Sequence, residues 1–349
     1  DMVQSRGLGD VYKRQSPTND LNLLSDVDLI VEAVFEDPKI KAEITQEVEG
    51  IIPKHCIFAS NTSTLPITDL ATASSRPDQF IGIHFFSPVE KMRLVEIIRG
   101  KETNNTAVAK ALDFVRQIKK TPIVVNDARF FYANRCIIPY INEGIRMVAE
   151  GIPPAMINNA AQMLGFPVGP IQLVDETSID LGAKIARATK AAMGKDYPDD
   201  AVEEVIFWME ENGRLGRKSK AGFFNYDDKG KRTGYWQGLK EKYPYSKKQP
   251  SLQDVQHRLM FVQVLEAVRA LEEGVLMDIR EGDVGAILGW GFAPWSGGPL
   301  SWLDILGTAY ATERCKELSS EYGNRFEPPA LLLEMSRTGE EFYTRFGHS

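Results

Sequence analysis

From residue 27 to residue 125 this sequence alternates short apolar runs with stretches of helical period, and that alternation limits the fold more than any other feature. The runs at 27–34, 56–60, 80–86, 93–98 and 122–125 read as strands, the first as a buried parallel one. Between them, 38–50, 66–72 and 104–119 read as helices. Pro38 stands in the first turn of its helix, with Ile40, Ile44 and Val48 on one face. Such an order implies a mostly parallel α/β sheet, the second half of a doubly wound dinucleotide fold.

After Asp127 the texture becomes helical. Helices are expected at 130–149, ending before Gly151, and at 154–164, 177–194 and 199–213. Residues 227–250, rich in Lys, Gly, Tyr and Pro, read as a linker. A long helix from Leu252 follows, carrying Val255, Leu259, Val262, Leu265 and Val268 on its apolar face and stopping before Gly274. There is also an internal echo. Glu143 precedes Gly151 and a Leu164-Gly-Phe-Pro-Val-Gly-Pro170 segment, while Glu266 precedes Gly274 and Gly291-Phe-Ala-Pro-Trp-Ser-Gly-Gly-Pro299. Two helical units sharing a signature suggest a duplication.

Residues 1–15 do not fit this pattern. Gly7-Leu-Gly9 lacks an apolar strand before it and has Tyr12 where a third small residue belongs, so it is not a dinucleotide turn. The segment reads as a foreign lead-in. The opening β-α-β part of a dinucleotide fold has no sequence to build it.

A net charge of −7 and 26% charged residues give no nucleic-acid footprint. No apolar run reaches the length of a membrane span. Cys56, Cys136 and Cys315 lie far apart, and with His55, His84, His257 and His348 they show no metal-ligand spacing. The expectation is a cytoplasmic, metal-free protein in a reducing compartment.

The chemistry concentrates in Ala59-Ser-Asn-Thr-Ser63, Gly82-Ile-His84-Phe-Phe-Ser87-Pro88 and Leu94-Val-Glu96. A hydroxyl, an imidazole and a carboxylate thus stand at strand ends or turns, which is what holding an alcohol and removing its proton requires. His84 ends an apolar strand and is the candidate base, with a hydrogen-bonded core histidine as the alternative. Glu96, flanked by Val95 and Ile97, is costly unless paired, either with His84 or with Arg93 or Arg99 at a strand edge. Ser63 either holds a substrate oxygen or bridges turn amides. Asn134 either reaches across to the site or caps a helix. Glu36 and Lys41 open a charged helix start, and Lys218 lies in a basic loop.

Together with Val125-Asn-Asp-Ala-Arg-Phe-Phe-Tyr-Ala-Asn134-Arg135, these tracts resemble the 3-hydroxyacyl-CoA dehydrogenase family of fatty-acid β-oxidation, from about residue 16 to the C-terminus. The resemblance implies an α/β plus all-α chain: a partial NAD-binding Rossmann-like domain (16–127), then two tandem helical dehydrogenase C-terminal domains (128–226 and 251–349) around the linker. It implies NAD-dependent oxidation of (S)-3-hydroxyacyl-CoA to 3-oxoacyl-CoA. In that reading Ser63 and Asn134 hold the 3-hydroxyl, His84 removes its proton and Glu96 supports His84. Glu36, Lys41, Ser63, Ser87 and Lys218 then contact the cofactor. Many family members carry Asn at the position of Ser87, and the Phe-Ser-Pro variant resembles the large multifunctional α subunits. The chain thus reads as an N-terminally truncated part of such a subunit. The implied partners are acyl-CoA and either a second copy or a thiolase subunit. Lacking a glycine turn, the alternative is a catalytically silent fragment that keeps assembly or acyl-CoA-binding surfaces.

Overall fold

A computed structural model describes residues 14–194 and 201–347, so most of the 1–15 lead-in lies outside the described residues, as does His348. Five strands form one sheet in chain order: β1 (Leu29–Glu32), β2 (Ile57–Ser60), β3 (Phe80–Phe85), β4 (Leu94–Arg99) and β5 (Thr121–Asn126). β1, β2 and β3 are parallel, β4 runs antiparallel to β3, and β5 is parallel to β4. The short connection from β3 to β4 has room only for an antiparallel return. β1 was expected to be buried, but among the described residues it pairs with β2 alone and is half-buried over three of its four residues.

The crossovers are α1 (Pro38–Glu49), α2 (Ile67–Ala71) and α3 (Asn105–Gln117). Asp37 caps α1 by accepting from the amides of Lys39 (2.9 Å) and Ile40 (3.0 Å), and Asn104 caps α3. The buried face of α1 is Lys41, Thr45 and Val48, not the expected Ile40, Ile44 and Val48; Ile40 is exposed. The helix is rotated because its lysine is drawn inward to a buried carboxylate on β1. α3 covers one face of the sheet, packing Ala107, Ala111 and Val115 on Ile83, Val95 and Ile97. The opposite face joins α1, α2 and the helical region in one continuous core.

The first helical unit holds α4 (Ala133–Ala149), α5 (Pro154–Met163), α6 (Pro170–Thr177), α7 (Ile179–Met193) and α8 (Ala201–Glu211). α4 starts later than residue 130 because Phe130 (φ 68°) and Phe131 (φ 53°) adopt left-handed backbone. The helix expected at 177–194 is α7, which starts at Ile179 after Ser178 (φ 85°); the short α6 before it was not expected. The segment 227–250 is not a linker. It supplies β7 (Arg232–Tyr235), which pairs antiparallel with β6 (Phe224–Tyr226), and then α9 (Gln237–Lys242). Trp236 stacks on Trp208 at 4.9 Å and Leu239 is buried, so this basic stretch is fastened to the first unit.

The second unit comprises α10 (Leu252–Glu272), α11 (Ile279–Trp290), α12 (Pro299–Leu306), α13 (Thr308–Tyr322), α14 (Ala330–Thr338) and α15 (Phe342–Phe346). Ser251 and Asp254 form a capping box on α10, whose five expected apolar positions are all buried. The echo between the units is geometric as well as sequential. Asp175 in α6 accepts from the amides of Phe223 and Phe224, and Asp304 in α12 accepts from those of Phe342 and Tyr343. Ser178 and Gly307 make the same positive-φ break three residues after each aspartate.

The second unit also docks on the sheet. Glu281 accepts from the Val124 amide (2.7 Å) and the Asn126 amide donates to the Val275 carbonyl (2.9 Å), so the β5 edge is occupied. Gly289 lets α11 close on β4, since a Cβ there would stand 2.5 Å from Leu94. Among the described residues, no helix is long and apolar enough to cross a membrane.

Candidate active site

β3 and β4 place His84 directly opposite Glu96 in the antiparallel register. His84 Nδ1 lies 2.9 Å from Glu96 Oε2, and both side chains are buried. The other carboxylate oxygen, Oε1, accepts from the backbone amides of Tyr132 (3.2 Å) and Ala133 (2.8 Å) where α4 begins. The imidazole and two amides at a helix N-terminus thus engage both oxygens of the carboxyl group. With Nδ1 turned to Glu96, His84 Nε2 has no hydrogen-bond partner among the described residues. Phe86 and Phe131 tilt against the imidazole at 4.6 and 6.0 Å. The left-handed turn at Phe130 and Phe131 is what points the first amides of α4 at Glu96.

Ser63 sits in the turn between β2 and α2. Asn134, second residue of α4, donates from Nδ2 to the Ser63 carbonyl at 2.8 Å. The Ser63 hydroxyl has no hydrogen-bond partner among the described residues. Asn61 Oδ1 accepts from the Phe85 amide (2.9 Å), tying this turn to the end of the His84 strand. Asp127, at the junction with the helical region, caps α2 by accepting from the amides of Ile67 (2.9 Å) and Thr68 (2.7 Å). Gly82 permits α2 to lie on the sheet, because a Cβ there would come within 2.8 Å of both Ile67 and Ile98.

Glu36 and Lys41 belong to the same cluster. Glu36 Oε1 collects the Thr62 hydroxyl (2.6 Å), the Ser63 amide (2.9 Å), and the Thr64 amide (3.0 Å) and hydroxyl (3.1 Å). Burial alone would raise its pKa, but these donors and Lys41 outweigh it and hold the carboxyl below the usual range. Lys41 is buried, with Nζ 3.0 and 3.1 Å from the oxygens of Glu32 and 3.5 Å from Glu36. Ser87 is exposed just beyond β3. Lys218 is not drawn into this cluster, as its ammonium pairs with Asp180 at 2.6 Å in the first helical unit.

The structure therefore unites Ser63, Asn134, Glu36 and Lys41 in one network and His84 with Glu96 in another. The adjacent residues at the start of α4 join the two. Sequence reasoning missed Asp127, Asn61 and Glu32. Asn61 stood in view inside the quoted Ser-Asn-Thr-Ser tract, whereas an aspartate capping a helix some 60 positions away leaves no local signal. Among the described residues, no group of three His, Cys, Asp or Glu side chains gathers as a metal site.

Residues 2–128 match the family model for the 3-hydroxyacyl-CoA dehydrogenase NAD-binding domain, and residues 131–226 match that for the 3-hydroxyacyl-CoA dehydrogenase C-terminal domain. The dehydrogenase part of multifunctional enzyme 1 from C. elegans is 30% identical over 95% of this chain and 76% of that one, with a TM-score of 0.67. The (S)-3-hydroxybutyryl-CoA dehydrogenase PaaH1 from Ralstonia eutropha is 33% identical over 60% of this chain and 75% of its own, with a TM-score of 0.56. A 3-hydroxybutyryl-CoA dehydrogenase from Escherichia coli K12 shares the fold at 21% identity, covering 97% of this chain and 88% of that one with a TM-score of 0.80. This chain belongs to the 3-hydroxyacyl-CoA dehydrogenase family.

Proposed function

We propose that this chain is the dehydrogenase part of a multifunctional β-oxidation enzyme, oxidising (S)-3-hydroxyacyl-CoA to 3-oxoacyl-CoA. The observation that carries the reading is the His84–Glu96 pair anchored on the N-terminus of α4, one residue before the Asn134 that grips the Ser63 turn. The Ser63 hydroxyl and Asn134 hold the substrate's 3-hydroxyl, and His84 Nε2 takes its proton. Glu96 then faces an imidazolium, and the two amides beneath it keep its charge in place. Resemblance to the C. elegans dehydrogenase part and the duplicated helical unit support the multifunctional context. A thiolase subunit or a second copy is the proposed partner.

NAD supplies the hydride acceptor when bound. The carboxyl ends of β1, β2 and β3 are where an open α/β sheet receives a ligand. Glu36, Lys41, Ser63 and Ser87 gather there and fit its nicotinamide half. Lys218 would join them only by releasing Asp180. Among the described residues, no glycine-rich turn opens a helix toward this end for the pyrophosphate. A second reading, a chain that binds or assembles without turnover, draws on the same point and on the outer edge of β1, which no strand among the described residues covers.

The test is NAD binding by calorimetry together with 3-hydroxyacyl-CoA oxidation, on the full chain and on a version with a glycine-turn β-α-β unit added before β1. Turnover by either form, abolished by His84→Ala, supports the dehydrogenase reading. Binding without turnover in both forms selects the silent one.

A further inference from the structure

Glu32 lies outside the residues assigned above, yet it is buried at the end of β1 with three kinds of partner. Its two oxygens take the Lys41 ammonium at 3.0 and 3.1 Å. It also accepts from the Val34 amide (3.1 Å), which shapes the exit from β1, and from the hydroxyl of Ser60, the last residue of β2. Ser60 stands three residues before Ser63. One buried carboxylate therefore braces the strand that leads into the Ser63 turn and holds the cation that stands beside Glu36.

The distances show how the load is divided. Lys41 is at full hydrogen-bonding contact with Glu32 but 3.5 Å from Glu36 Oε2. Glu36 is thereby left to spend Oε1 on four donors of the Thr62–Thr64 turn. A buried ammonium must have an anionic partner. Were Glu32 neutral, Lys41 would turn to the nearest remaining anion, Glu36, and closing that gap would pull its carboxylate off the turn.

We propose that Glu32 is a positioning residue for Ser63: by neutralising Lys41 it keeps Glu36 engaged with the turn that presents the serine hydroxyl. Its bearing on catalysis rests on the role proposed for Ser63. The device itself is a property of the chain without substrate or cofactor, so the two ideas fail separately.

The experiment is amide hydrogen exchange on the full chain, free of ligand, for wild type, Glu32→Gln and the double variant Glu32→Gln with Lys41→Met. Glu32→Gln should speed exchange at Ser63 and Thr64 by roughly ten- to a hundredfold, the effect of losing one or two charged hydrogen bonds, while β3 and β4 keep their protection. Removing the ammonium as well should return the turn toward wild-type protection, because nothing then competes for Glu36. A purely structural role predicts the opposite order, with the double variant looser than the single one. Wild-type exchange at Ser63 and Thr64 in Glu32→Gln would overturn the proposal. So would a loss of protection spread alike over β2, β3 and β4 in both variants.

Discussion

At the scale of single residues, the site divides into a base that acts and groups that hold it. His84 keeps Nε2 without a hydrogen-bond partner among the described residues, while both Glu96 oxygens are engaged. His84→Ala should lower kcat by about a hundred- to ten-thousandfold, the usual value of a general base, with little change in the acyl-CoA KM. Glu96→Gln should also lower kcat, because its amide nitrogen or its neutral oxygen must face the Tyr132 and Ala133 amides without a charge. Steady-state kinetics of both variants decide this, and an unchanged kcat for His84→Ala would remove it from the role of base. His84 and Glu96 could be seen in the sequence because each departs from an apolar strand, and Ser63 because it lies in a polar Ser-Asn-Thr-Ser-Thr turn between a strand and a helix. The amides that complete the Glu96 environment could not, since backbone donors carry no residue signature. The placement of Lys41 was hidden for a related reason: a charged residue at a helix start reads as solvated unless its buried partner is known.

Among the elements, the two helical units hang their closing segments on the same kind of bond, an aspartate near the end of a short Pro-initiated helix. Asp175 accepts from the Phe223 and Phe224 amides (2.8 and 3.0 Å) and from the Tyr226 hydroxyl (2.9 Å). Burial raises its pKa from the ordinary aspartate value to about 6, with these donors offsetting part of the rise. A folded-state value above the unfolded one means that the native state binds more protons between the two. Stability therefore falls as pH rises from about 4 to about 6, by on the order of 3 kcal/mol, and levels off above that. Asp175→Asn should flatten this part of the profile while costing about 1–3 kcal/mol for the mismatched donor it introduces. Urea unfolding from pH 4 to pH 7 reads both effects. The strands and the long α10 were visible in the sequence because their periods are strong. The short α6 was not, because its end depends on a serine taking a conformation that glycine takes in the second unit. Nor was the β6–β7 hairpin, whose lysines and glycines have the composition of a linker. Its order comes from Trp236 and Leu239 packing on the first unit.

For the molecule as a whole, α4 and α10 face each other through exchanged ion pairs that make the second unit part of the site's support. Arg135 of α4 reaches Glu266 and Glu273, and Arg258 of α10 reaches Glu143 and Glu150, at matching spacings along the two helices. The two crossings are chemically alike and physically different. Arg258 and Glu143 are both fully buried, and Arg146 and Arg325 also converge on that glutamate. Arg258, Arg325 and Arg146 hold the Glu143 pKa below the ordinary range although burial opposes them. Arg135, by contrast, is 14% exposed and its partner Glu273 is 53% exposed. Arg258→Met should therefore cost about 3–5 kcal/mol, since it strips a buried network of its central cation. Arg135→Met should cost roughly 1 kcal/mol or less, and only that smaller loss should shrink further in high salt. Urea unfolding of the two variants at low and high ionic strength tests the asymmetry. Equal costs would mean that the pairs act as surface bridges and that apolar packing alone joins the units. The expected inequality would make Arg258, far from the chemistry in sequence, a residue on which the orientation of α4, and with it Asn134 and the amides under Glu96, depends.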